Sequence, residues 1–205
     1  MSAGCRALTS EEVQELRNYF ESRIGGESDK FDLVTRNLSL IFFSLYTGFR
    51  ISETLSLTVE DVYQFDHVTD SVYLKKCNTK KQVAGRTGVL NAKCQEILKH
   101  YLLHYSMTNA TTLISRPLFF SRKGGALGVW AAHKIFTDAF DAIELSGKMG
   151  THVTRKTFAS NVYKLVDRNI IDLQQAMGHQ SIGSTQKYIS ADNEKVQSAL
   201  LALDF

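Results

Sequence analysis

The chain has 205 residues, 43% of them hydrophobic and 22% charged, with a net charge of +3. That length supports one substantial core, and the small basic excess is compatible with a polyanionic partner. Three scattered cysteines without a CxxC pair point to neither a zinc site nor a disulfide framework. The N-terminus carries no apolar signal core, and the longest apolar-rich run, Leu38 to Tyr46, is too short to span a bilayer. A soluble, cytoplasmic protein is expected, with no metal and no cofactor.

Thr9-Ser10-Glu11-Glu12 reads as a capping box that opens a first helix, with Val13, Leu16 and Phe20 on its apolar face. A second, more apolar helix runs from Phe31 to Gly48, its stripe made by Leu38, Ile41, Phe42 and Leu45. Gly48 closes it. A short helix follows from Ile51 to Ser56, with Glu53 on the same face as Arg50. From Thr58 the pattern shortens to strands at Val62-Tyr63, Ser71 to Cys77 and Val83 to Leu90. Asn78-Thr79-Lys80-Lys81 joins the last two, and lysines at such a tip ordinarily serve as solvated edge charge.

Helical spacing returns from Ala92 to Tyr105, with Ile97, Leu98, Tyr101 and Leu102 inward. Pro117 to Ser121 is a short apolar segment before the turn Arg122 to Gly125. Gly128 to Ile143 carries the stripe Val129, Ala132, Phe136, Ala139, Phe140 and Ile143. Thr154 to Arg168 is predicted to bury Phe158, Val162 and Leu165. Asp172 to Met177 stops at Gly178, Ser184 to Ile189 is a turn of helix carrying Tyr188, and Asn193 to Leu203 closes the chain. The fold class is therefore α+β, mostly α, in one domain.

Chemistry-bearing residues gather in three stretches. Thr47 to Glu53 holds Arg50; Thr151 to Arg155 holds His152 and Arg155; Met177 to Ile189 holds His179 and Tyr188. Two arginines, two histidines, a tyrosine and a lysine from the strand region suit a phosphodiester better than a metal or a sugar. Each residue alone has a plain structural reading: Arg50 as an ion pair to Glu53, Tyr188 as a core ring with its hydroxyl at the edge.

Tyr46-Thr47-Gly48-Phe49-Arg50-Ile51-Ser52-Glu53, Thr151-His152-Val153-Thr154-Arg155, Gly178-His179 and Tyr188 together resemble the tyrosine recombinases, the phage-integrase family. Order, spacing and context agree over nearly the whole chain. The resemblance implies a catalytic domain in which helices surround a small three-stranded antiparallel sheet. It also implies a site-specific recombinase that cleaves and rejoins double-stranded DNA through a 3′-phosphotyrosyl intermediate, without metal.

Carried over residue by residue, Arg50 and Arg155 would grip the scissile phosphate and Tyr188 would attack phosphorus. A phenol is a poor nucleophile at neutral pH, and His152 is the family's candidate for taking its proton. His179 would hydrogen-bond the phosphate. A hairpin lysine would protonate the leaving 5′-oxygen; Lys80 fits best, with Lys81 close behind. Glu53 would orient the site through Arg50 or a histidine.

Lys156 stands where many relatives have histidine. The family's N-terminal core-binding domain is expected to be absent, so residues 1–205 would all belong to the catalytic domain. The resemblance further implies a homotetramer on DNA, with Leu200, Leu201 and Leu203 of the C-terminal helix docking into a neighbour; the alternative is that they pack on their own domain. Two other functions share the fold: strand relaxation of the type IB topoisomerase kind, and a non-catalytic DNA-binding accessory protein. The full set of site residues argues against the accessory protein. A topoisomerase would use the same residues and differs in relaxing supercoils rather than exchanging strands between two sites; recombination is the leading reading.

Overall fold

A computed structural model describes residues 5–24, 31–75, 85–108, 116–147, 149–189 and 201. Two compact units divide the chain, Met1–Phe158 and Ala159–Phe205. The first opens with α1 (Ser10–Glu21). Its start is the capping box read from the sequence: the Glu12 N–H donates to the Thr9 hydroxyl (3.2 Å) and the Thr9 N–H to the Glu12 carboxylate (2.8 Å). Leu16 and Phe20 are buried on its inner face.

α2 (Phe31–Thr47) is the hub of this unit, with Leu40, Ile41, Phe42 and Phe43 all buried. Its buried hydroxyls turn back on the helix, Ser44 donating to the Leu40 carbonyl and Thr47 to that of Phe43 (both 2.8 Å). Gly48 ends it with φ +61°. A Cβ there would overlap the Phe158 ring, so both backbone and space call for glycine. α3 (Ile51–Thr54) follows at once.

The expected single three-stranded sheet is two short antiparallel ladders among the described residues. β1 (Tyr63–Gln64) pairs with β2 (His67–Val68), and β3 (Ser71–Leu74) with β4 (Arg86–Val89). Phe65 and Asp66, both at positive φ, fold β1 straight back on β2. The Thr69 N–H donates to the Val62 carbonyl (2.9 Å) and the Leu90 N–H to that of Asp70 (2.7 Å). A bend at Asp70 lies between β2 and β3. Lys80, Lys81 and the rest of residues 76–84 lie outside the described residues.

α4 (Ala92–Thr108) packs against α2. Tyr101 stacks on Phe119, with ring centroids 6.0 Å apart, and donates its hydroxyl to the Leu118 carbonyl (2.8 Å). α5 (Val129–Ala142) buries Ala132, Phe136, Ala139 and Phe140; Val129, placed on the same stripe by its spacing, is instead exposed at the helix start. α6 (His152–Leu165) begins two residues earlier than its periodicity indicated.

In the second unit, Asn169 caps α7 (Ile170–Met177), accepting from the Ile171 N–H (2.9 Å). Gly178 closes α7 in the left-handed conformation. α8 (Ile182–Gln186) is a single short helix, and Tyr188 lies in the turn beyond it rather than on it. Leu165, expected inside, is 82% exposed, while Phe158 and Val162 are half-buried. Periodicity marks a face of α6 but not how far along it a neighbour reaches. Among the described residues no helix is long and apolar enough to cross a membrane.

Candidate active site

Gly48 is the pivot of the first unit's polar cluster. Ending α2 there turns the chain so that Phe49 enters the core and Arg50 stands at the head of α3. Arg155, one helical turn after His152 on α6, reaches back and donates from Nη1 to the Gly48 carbonyl. Its side chain is among the largest that are fully buried. Arg50 and Arg155, more than a hundred positions apart in sequence, therefore meet the same short turn. His152 is exposed at the first position of α6.

Glu53 is the buried carboxylate of this cluster, only 1% exposed. Its Oε1 accepts from Arg50 Nη1 (2.9 Å), and its Oε2 from the Arg50 backbone N–H (2.8 Å) and from Arg86 Nη2 (2.8 Å). Burial pushes the Glu53 carboxyl up, but the Arg86 charge and the hydrogen bonds from Arg50 outweigh it, so the net direction is down. For Arg86, burial lowers the guanidinium's affinity for its proton and Glu53 opposes that shift.

Arg86 escaped the sequence reading. It sits on β4, opposite Leu74 in register, and its guanidinium lies 4.4 Å from the Phe49 ring centroid. Two residues on, a Cβ at Gly88 would come within 2.5 Å of Phe49 Cζ, so glycine there makes room for the ring. An arginine at an inward strand position two residues before a glycine was the available signal. Its partner Glu53, 33 positions away, was not visible.

The second unit places His179 and Tyr188 together. The His179 N–H donates to the Gln174 carbonyl (3.0 Å), and Gln174 Nε2 donates to the His179 carbonyl (2.9 Å), fixing the backbone beyond Gly178. Nδ1 of the buried His179 ring shares a hydrogen bond with the buried Thr185 hydroxyl (3.0 Å). The rings of His179 and Tyr188 lie 5.4 Å apart, centroid to centroid, tilted by 35°. The Tyr188 N–H donates to the Thr185 carbonyl (2.9 Å). Thr185 thus serves both residues, one through its side chain and one through its backbone.

The model of the phage integrase family matches residues 6–195. The chain belongs to the phage integrase family. It is 24% identical over 193 residues to tyrosine recombinase XerH of Campylobacter jejuni, an alignment spanning 94% of this chain and 50% of that protein. It is 27% identical to the probable integrase/recombinase YoeC of Bacillus subtilis, over 92% of this chain and 91% of that protein. In three dimensions it is similar to the XerH site-specific recombinase bound to palindromic difH substrate in a post-cleavage complex. That similarity has a TM-score of 0.71 at 25% identity, over 96% of this chain and 52% of the other. The chain spans about half the length of XerH and nearly all of YoeC.

In this phage integrase chain the sequence-selected residues fall into two groups. Arg50, Glu53, His152 and Arg155 belong to the first unit, with Arg50, Glu53 and Arg155 gathered around the Gly48 turn. His179 and Tyr188 belong to the second and pack together. Glu53 contacts Arg50 and Arg86. Guanidinium groups held by a single carboxylate leave a surplus of fixed positive charge, which suits an oxyanion of the phosphodiester type.

Proposed function

We propose that residues 1–205 act as the catalytic domain of a site-specific DNA recombinase in the cytoplasm. The observation that carries this reading is the Gly48 turn, where Arg50 and Arg155 converge on one backbone segment. Two arginines from distant parts of the chain, one bonded to the Gly48 carbonyl and one two residues beyond it, supply the charge that the paired oxygens of a phosphodiester call for.

Arg50 and Arg155 bind the non-bridging oxygens of the scissile phosphate and stabilise charge in the pentacoordinate transition state. The Tyr188 oxygen forms the new bond to phosphorus as the bond to the 5′-oxygen breaks. His152 takes the Tyr188 proton, Lys80 protonates the departing 5′-oxygen, and His179, steadied by Thr185, hydrogen-bonds the phosphate. Glu53 keeps Arg50 in place. The 3′-phosphotyrosyl bond retains the energy of the broken one, so attack by another 5′-hydroxyl rejoins the strands without ATP. The partners are double-stranded DNA and further copies of the chain, four to a synapse, joined through the C-terminal helix. Leu201, 82% exposed on a helical residue, supports that assembly; Leu200 and Leu203 lie outside the described residues.

The test is a suicide DNA substrate nicked beside the cleavage point, offered as a panel of duplexes in EDTA and read on a denaturing gel. Wild type is expected to form a covalent protein–DNA band, and Tyr188→Phe none. A band that persists in Tyr188→Phe, or DNA binding with no adduct on any duplex, would overturn the reading. Sizing the complex on paired sites tests the assembly, with four copies expected.

A further inference from the structure

Among the described residues, Arg86 is the group holding Glu53 that the reaction scheme leaves unused. An isolated Arg50–Glu53 pair is electrically neutral: the carboxylate that fixes Arg50 also cancels the charge Arg50 brings to a phosphate. Arg86 changes that sum. Its Nη2 lies 2.8 Å from Glu53 Oε2, and its side chain is 12% exposed, so the Arg50–Glu53–Arg86 cluster carries a net charge of +1 in a shielded place. The geometry divides the carboxylate as well. Arg86 occupies Oε2 and Arg50 Nη1 takes Oε1, so Glu53 cannot rotate without breaking one bond to each arginine.

Arg86 is itself held on two sides. Phe49 lies under its guanidinium, and Phe49 is lodged in the core against Phe43 and over Gly88. Phe49 also directly precedes Arg50 in the chain, so one core ring sets the height of both arginines. We infer that Arg86 is a positioning residue for phosphate cleavage: it orients Glu53 and offsets its charge, so that Arg50 meets the scissile phosphate both fixed and net positive. This rests on the recombinase reading. It adds a residue that touches neither DNA nor the nucleophile and acts through Glu53.

Arg86→Gln and Arg86→Lys test it. Glutamine keeps a donor for Glu53 but removes the charge; lysine keeps the charge but loses the planar fork. With circular dichroism verifying the fold, single-turnover adduct formation is measured on the suicide substrate alongside DNA-binding affinity at the same salt. Arg86→Gln is expected to slow adduct formation about 100-fold, the scale of losing one transition-state donor, with Kd changed less than about threefold. Arg86→Lys should recover most of that rate. Wild-type rates in Arg86→Gln, or equal losses in the two variants, would overturn the inference.

A second readout does not depend on activity. The Arg50 Nε–H resonance, assigned by its loss in Arg50→Lys, should shift and broaden in Arg86→Gln and stay near its wild-type position in Arg86→Lys. An unchanged resonance in Arg86→Gln would overturn the inference even if wild type forms no adduct. Absence of a wild-type adduct is the separate outcome that removes the recombinase reading. If Arg86→Gln fails to fold, Arg86→Lys carries the test, and a loss of about 100-fold there would sink the charge argument.

Discussion

A threonine hydroxyl decides how His179 presents its ring. With Thr185 hydrogen-bonded to Nδ1 and the backbone locked by Gln174, the imidazole is held from two sides before any substrate arrives. Thr185→Val keeps the shape and removes the hydrogen bond. We expect it to lower stability by about 1–2 kcal/mol in urea denaturation, as for other buried hydrogen bonds that lose one partner. Adduct formation should fall about tenfold with DNA affinity preserved, because one aligned donor or acceptor in a transition state is worth roughly that much or more. A variant with wild-type cleavage would show that His179 needs no such support. Neither Thr185 nor Arg86 stood out in the sequence as a site residue. Both act on another side chain, and a supporting role has no motif of its own.

At the scale of elements, the junction between α2 and α3 does the most positioning. Gly48 ends one helix, leaves room for Phe158, and offers its carbonyl to Arg155. Gly48→Ala meets two penalties: a strained left-handed backbone and a methyl group placed in an aromatic ring. The expected loss is about 2–4 kcal/mol in chemical denaturation, and a loss under about 0.5 kcal/mol would show that the turn relaxes freely. The helices around this junction were legible because their signals are local: the Thr9–Glu12 box, the apolar stripe of α2, and Gly178 after α7. The β1–β2 hairpin was not, since Phe65-Asp66 lacks the Asn-Gly or Asp-Gly chemistry that marks such a turn. Tyr188 was expected on a helix for the opposite reason. Ser184 and Thr185 read as helix starters, but α8 stops at Gln186.

For the molecule as a whole, the buried Glu53 carboxylate contributes to the response to acid. The Glu53 carboxyl is held below its ordinary value of 4.5, so it favours the folded state fully above that pH. The contribution is lost as pH falls below 4.5 toward the lower folded-state value, where the carboxylate takes up its proton. Denaturation curves between pH 7 and pH 3 should therefore show stability falling on the acid side. Glu53→Gln should flatten that limb and lower stability at pH 7 by about 3 kcal/mol, because it leaves buried guanidinium charge without its counter-ion. An acid limb of unchanged slope in Glu53→Gln would assign the effect to other carboxylates.

The sequence by itself determined the family and the mostly helical class, and it nominated the residues proposed for the chemistry, because those depend on residue type and spacing along the chain. Arg50, His152, Arg155, His179 and Tyr188 stand out by residue type and spacing alone. The tertiary structure alone decided which of them meet: Arg155 on the Gly48 carbonyl, Glu53 between Arg50 and Arg86, His179 against Thr185 and Tyr188. It also decided that Leu165 and Val129 face outward despite their helical spacing. The physical reason is the same throughout. Helix caps and apolar periods are energies of neighbouring residues, written locally. A buried ion pair or an exposed leucine depends on what the rest of the chain brings to that place, and only folding supplies that.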